Sequence, residues 1–156
     1  MNNRRVSLII GLLVTILAIT SILVCFAPAF GADSAGYADT RGNVFQIMFG
    51  YQGKNAIPAL IVAFVLQCVA VLFGLLGAFL PARLGGINLG VAALLLIVSG
   101  VLFLFAPNFY SSANASSIVP IAGETIGNGT GILLTSIFSI VSGVIGIYGG
   151  YRSFKA

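Results

Sequence analysis

Residues 57–80 read IPALIVAFVLQCVAVLFGLLGAFL, with Gln67 as the one amide in an otherwise apolar run. A helix needs about 20 consecutive apolar residues to cross a hydrocarbon core about 30 Å thick, and this run is long enough. Lipid offers no water to the backbone N–H and C=O groups, so such a run must close its hydrogen bonds internally as a helix. Pro58 suits the first helical turn, where its missing N–H costs nothing.

Three more runs are built the same way: Val6 to Phe26, Ile87 to Ala106 and Ile132 to Tyr151. Pro28, Pro81 and Pro107 each stand just past a run, where proline stops a helix. Over all 156 residues the chain is 59% hydrophobic and 6% charged, against about 25% charged in a soluble domain. The reading is an all-α integral membrane protein, one four-helix bundle spanning residues 1–156. Its spans are 6–26, 57–80, 87–106 and 132–151, and its outer loops are 31–56 and 108–131. The first run exceeds the roughly 7–15 apolar residues of a signal peptide, so it is expected to remain as a span.

Charge sets the expected topology. Arg4, Arg5, Arg83, Arg152 and Lys155 fall at one end of the spans; Arg41 and Lys54 fall at the other, beside all three acids, Asp33, Asp39 and Glu124. The positive-inside rule then places both termini in the cytoplasm, in a cell membrane. The net charge of +4 is scattered, whereas nucleic-acid binding needs basic residues clustered on one surface. A nucleic-acid partner is not expected.

The first and third spans look alike. With Gly11 aligned on Gly90, Phe26-Ala27-Pro28 meets Phe105-Ala106-Pro107, and Phe30 meets Phe109. Gly74 and Gly77 similarly meet Gly146 and Gly149. Duplication of a helical hairpin is the expectation, with an axis along the membrane normal as in parallel-repeat transporters.

Small residues mark helix contacts. Gly131, Thr135, Ser139 and Gly143 recur every fourth residue, as do Ser142, Gly146 and Gly150, and Ala70, Gly74 and Ala78. Such rows let helices approach closely in lipid. Gln67, Gly74, Gly143, Gly146 and Gly150 are the packing candidates, within the bundle before any contact between copies. Gln67 is expected to bond a Ser or Thr of a neighbouring helix, such as Thr20, Ser99 or Ser139. Tyr51, Tyr110, Tyr148 and Tyr151 fit an aromatic belt.

In the first outer loop Val44, Phe45, Met48 and Phe49 have the spacing of a short amphipathic helix. It either covers the helix ends or docks a partner; cover is the favoured reading. Asn114-Ala115-Ser116 and Asn128-Gly129-Thr130 match the glycosylation acceptor pattern. Cys25 and Cys68 differ in depth by about 16 Å, beyond the ~7 Å reach of a disulfide, and are expected to be small packing residues.

Catalytic chemistry finds no footing. The chain has no histidine, which removes the commonest general base and metal ligand. No cofactor or metal is expected. In length and helix count the chain resembles rotor-ring proteolipids, but those carry an acid within a helix and here every acid lies in a loop. In layout it resembles claudin-type tetraspans, whose loop tryptophan and cysteine pair it lacks.

The function expected is a non-catalytic accessory or structural subunit, working through helix packing and outer loops on another membrane protein or a copy of itself. The alternative is a small oligomeric transporter or pore for a neutral or apolar substrate. A third reading is an immunity or signalling protein that recognises an extracellular ligand.

Overall fold

The structure, a computed structural model, describes residues 3–31, 42–116 and 126–154. Arg41, Lys155 and the three acids lie outside them, as does the side chain of Arg4. The described chain is helical: α1 Asn3–Val24, α2 Val44–Phe49, α3 Pro58–Phe79, α4 Ala82–Leu104, α5 Ala106–Ala113 and α6 Thr130–Phe154. Four of these, α1, α3, α4 and α6, are long and apolar enough to cross a membrane, which supports a multi-pass membrane protein. Their outward side chains are large and apolar, among them Ile16, Leu72, Leu94 and Val144.

The four long helices form a ring. α1 packs on α3 and α6, and α4 packs on the same two from the opposite corner. The inward residues of α1 and the turn that follows it are Ser7, Gly11, Val14, Ala18, Ser21 and Cys25; those of α3 are Leu60, Ala63, Gln67, Ala70, Gly74 and Gly77. Both rows advance by alternating steps of three and four. That 3.5-residue period keeps one seam facing a partner helix. The seams are small because lipid gives no hydrophobic drive for helix association, so close van der Waals contact must supply it.

The glycines measure the closeness. A methyl built on Gly143 would lie 2.6 Å from Ile97 Cγ1 and 2.9 Å from the Ala93 carbonyl oxygen. On Gly74 it would lie 2.7 Å from Thr15 Oγ1, and on Gly146 3.0 Å from Ala93 Cβ. On Gly150 it would lie 3.0 Å from the Gly86 carbonyl oxygen. These four therefore lie on contacts inside the ring.

The interior has two apolar parts. One holds Ile10, Val14, Ala18, Ala70, Leu89, Ala92 and Leu96. The other, toward the loops, includes Cys25, Val44, Met48, Leu60, Phe103, Tyr110 and Ile132. This second part is capped by chain rather than by lipid. Residues 25–31 run between segments 42–45 and 127–131. Val44 N–H and Phe45 N–H donate to the carbonyls of Ala27 and Cys25, and Gly129 N–H and Gly131 N–H donate to those of Ala29 and Pro28. Gly131 must be small there, since an added methyl would sit 2.6 Å from two of the carbonyl oxygens.

Several expectations need correction. The inner link, read as Pro81 to Gly86, shrinks to Leu80 and Pro81, because α4 already begins at Ala82. Gly85 and Gly86 are helical and serve close approach: methyls there would sit 2.8 Å from the Gly77 carbonyl and 3.1 Å from that of Gly150. The loop read from Asn108 begins instead as helix α5, with Pro107 in its first turn. Proline ended one helix and opened the next.

The two Phe-Ala-Pro-x-Phe stretches adopt different structures. Residues 105–109 enter α5, whereas Pro28 and Phe30 pair in isolated bridges with Asn43 and Asn128. The neighbouring segments take the backbone groups of the first stretch; the second satisfies its own in a helix. The sequence likeness does not extend to conformation at this motif.

Gly131→Ala is expected to lower stability by about 1–3 kcal/mol through overpacking, read as a reduced Tm of the detergent-solubilised protein. Gly90→Ala, whose methyl meets nothing within 4 Å, should hold or raise the Tm, since alanine is the better helix former. Equal Tm values for the two would contradict the close approach at Gly131.

Candidate functional site

The functional candidates group at two places, a polar node inside the ring and an aromatic ridge on the cap. The node centres on Gln67, in the middle of α3 and 0% exposed. Its Nε2 donates to Ser21 Oγ of α1 at 2.8 Å and to Ser139 Oγ of α6 at 2.7 Å. Ser21 and Ser139 lie 2.8 Å apart, oxygen to oxygen. Ser21 Oγ also donates to the Thr135 carbonyl at 2.9 Å, and Thr135 Oγ1 returns a bond to the Ser21 carbonyl at 3.3 Å. Both amide protons and all three hydroxyl protons are thereby placed, if Ser139 donates to Ser21. Gln67 Oε1 is left buried without a donor.

Around this node single serines add further ties between helices. Ser7 of α1 donates to the Gly77 carbonyl of α3, Ser142 of α6 to the Val14 carbonyl of α1, and Ser99 of α4 to the Ala63 carbonyl of α3. Each such bond contributes about 0.6 kcal/mol on average inside a membrane protein. Their value lies as much in fixing helix rotation as in strength.

Of the three partners expected for Gln67, Ser139 is one. Ser99 bonds the Ala63 carbonyl instead, and Thr20 turns back to the Ile16 carbonyl of its own helix. Ser21, which was not foreseen, takes the place of Thr20. The signal was available: Ser7, Gly11, Ala18, Ser21 and Cys25 form one small-residue row, and Thr20 falls off it.

The ridge is carried by α2. Asn43 Oδ1 accepts from Gln46 N–H at 2.7 Å, and Gln46 Oε1 accepts from Asn43 N–H at 3.1 Å. This reciprocal capping box stabilises a helix too short to persist alone. Gly50 ends it at φ 91°, a conformation open to glycine. Val44, Ile47 and Met48 are buried beneath.

The docking candidates therefore separate. Val44 and Met48 are core, whereas Phe49 is 50% exposed. Phe45 lies between Phe26 and Phe49, with ring centroids 5.4 Å and 5.0 Å away, and meets Phe64 edge-on at 5.7 Å. Phe26 is itself 57% exposed. Phe26 and Phe64 were not among the docking candidates read from the sequence, because they belong to the apolar runs rather than to the loop.

Other expectations sort as follows. Tyr148 and Tyr151 are exposed, but Tyr110 is buried in the cap, with Phe30 packed on it at a centroid distance of 5.0 Å. It leaves the aromatic belt because α5 folds inward. Asn114 is fully buried, accepting from Asn55 N–H at 2.7 Å and donating to the Tyr110 carbonyl at 3.1 Å. Its side chain is a structural bond and offers no glycan acceptor in the folded chain. Cys25 and Cys68 are both free thiols. Among the described residues no group of three metal-ligating side chains comes together.

Gln67→Leu is expected to change stability by less than about 1.5 kcal/mol. It loses two bonds of about 0.6 kcal/mol each, and it removes an unsatisfied carbonyl that costs about 1–3 kcal/mol. Gln67→Glu introduces a charge in the same place and should destabilise strongly at neutral pH, with recovery as acid protonates it. Thermal unfolding of both variants in detergent checks the pair; a large loss in Gln67→Leu would make the node more than a helix tie. Compared with family models, curated proteins and solved structures, the chain gives no match.

Proposed function

We propose that this chain is a non-catalytic accessory or structural subunit of a membrane assembly, held to another membrane protein through the aromatic ridge on its cap. The observation that carries this reading is the exposure of Phe26 and Phe49 at 57% and 50% on a fixed base. The base is fixed by the capping box and by the Phe45 N–H bond to the Cys25 carbonyl. Aromatic side chains are enriched at protein interfaces, and those already held in place lose little freedom on binding. Cytoplasmic termini remain part of the reading, with the ridge then on the outer side.

A small pore or transporter for a neutral solute is the second reading, and the unpartnered Gln67 Oε1 speaks for it. The close glycine contacts along each of the four helix seams speak against a solute path. Hairpin duplication is compatible with the ring, in which each hairpin packs on the other.

Gentle detergent extraction from the native membrane tests the leading reading. The wild-type chain should co-elute with a different protein in fixed stoichiometry. Phe26→Ser/Phe49→Ser should retain the wild-type Tm yet lose at least about tenfold of that partner, as truncating two interface aromatics implies. Elution of the wild-type chain alone or as a homo-oligomer would overturn the subunit reading and favour transport. Undiminished co-elution of the double variant would move the interface away from the ridge.

A further inference from the structure

The two hairpins, α1 with α3 and α4 with α6, make the same contacts twice. Ser99 of α4 donates to the Ala63 carbonyl of α3, and Ser21 of α1 donates to the Thr135 carbonyl of α6. Ser99 stands 78 residues after Ser21, and Thr135 stands 72 after Ala63. The same two shifts carry a contact within the first hairpin onto one within the second. Methyls built on Gly74 and Gly146 would lie 2.7 Å from Thr15 Oγ1 and 3.0 Å from Ala93 Cβ. They also carry buried residues onto buried residues: Val14 onto Ala92, Ala18 onto Leu96, Cys25 onto Phe103, and Leu60 onto Ile132.

The shift of 78 is one less than the 79 that aligns the two Phe-Ala-Pro stretches. The contacts around the node set it, because Ser21 rather than Thr20 faces inward as Ser99 does. The likeness therefore lies in the packed helices and ends at the cap, where the two stretches part.

In an interface between like units every contact occurs twice, and only a residue on the two-fold axis can touch its own equivalent. Gln67 does so. Under the shift of 72 its equivalent is Ser139, and its Nε2 donates to Ser139 Oγ at 2.7 Å. α3 and α6 stand at opposite corners of the ring, so the long amide is what spans the centre. Ser21 completes the node on one side. Ser99, its equivalent on the other side, already holds the matching carbonyl bond at 2.8 Å. The second side lacks only the amide and the hydroxyl of Thr135, whose place Ala63 takes.

We infer that the inner face of each hairpin is built to receive a second hairpin of its own kind, about a two-fold axis through Gln67 and Ser139, and that either hairpin can carry the axial amide. The bundle is then an internal dimer of hairpins. One glutamine against one serine fits the axis. Two glutamines would overpack a centre already closed around one, and two serines would leave a void.

Exchange of the axial pair in the full-length chain, Gln67→Ser/Ser139→Gln, tests the inference. The moved amide should bond Ser99 and the serine that replaces it on α3. In detergent the exchanged protein should recover at least about half of the Tm loss summed over the two single changes, a coupling expected of residues in contact. A second reading follows which serine the amide uses. In the wild-type chain Ser21→Ala should lower the Tm by about 2 °C more than Ser99→Ala, since it leaves a buried donor unpaired. In the exchanged chain that order should reverse. Ser21→Ala remaining the costlier change, equal losses from both, or an exchanged chain that does not fold would overturn the inference. Simple addition of the two single losses would overturn it as well.

Discussion

A polar group in hydrocarbon must find its partner within the protein, and the rest of this structure follows from how the chain meets that demand. Gln67 is the test. Its amide lies in the middle of α3, where water cannot reach it, and α1 and α6 must both bring a hydroxyl to it. Ser21 and Ser139 do so at 2.8 Å and 2.7 Å. Three helices are thereby fixed in rotation and in depth at one level, and Ser99 brings in the fourth. The small-residue seams then extend this register toward both ends.

The two halves of the bundle solve the burial problem differently. Below the node, helices pack on helices through Ala and Gly, and the outward side chains are left to lipid. Above it, the chain encloses large residues such as Phe103, Tyr110 and Met48 under α2, α5 and the strand-like segment 25–31. That half has the character of a soluble core, with both aromatic packing and backbone bonds across segments. A fixed cap in turn gives Phe26, Phe45 and Phe49 a constant arrangement, which a loose loop would not.

The spans were legible in the sequence because hydrocarbon thickness translates directly into run length, and nothing in runs 57–80 or 132–151 competes with that reading. The amphipathic helix at 44–49 was legible from spacing alone. Proline was read less well. Pro81 and Pro107 were taken as stops, but a residue with a preset φ and no N–H also suits a helix start, and both stand at the head of a new helix. Tyr110 and Asn114 were misplaced for the same reason: once α5 forms, its inner face turns them under the cap. The choice of Ser21 over Thr20 depended on helical phase, which a single polar residue does not reveal but a row of small ones does.

The central claim is that the bundle is closed, with a node that ties helices rather than one that admits solutes. Cys25 is a native probe of it: fully buried, with its sulfur 3.7 Å from Thr135 Oγ1. In a Cys68→Ser variant it is the sole thiol of the chain. The direct measurement is modification of that thiol by a small water-soluble reagent in native membranes, compared with the same protein unfolded in strong detergent. A closed bundle predicts that Cys25 stays unmodified until unfolding. Modification in the membrane at a rate near that of the unfolded chain would place water at the node and contradict the account.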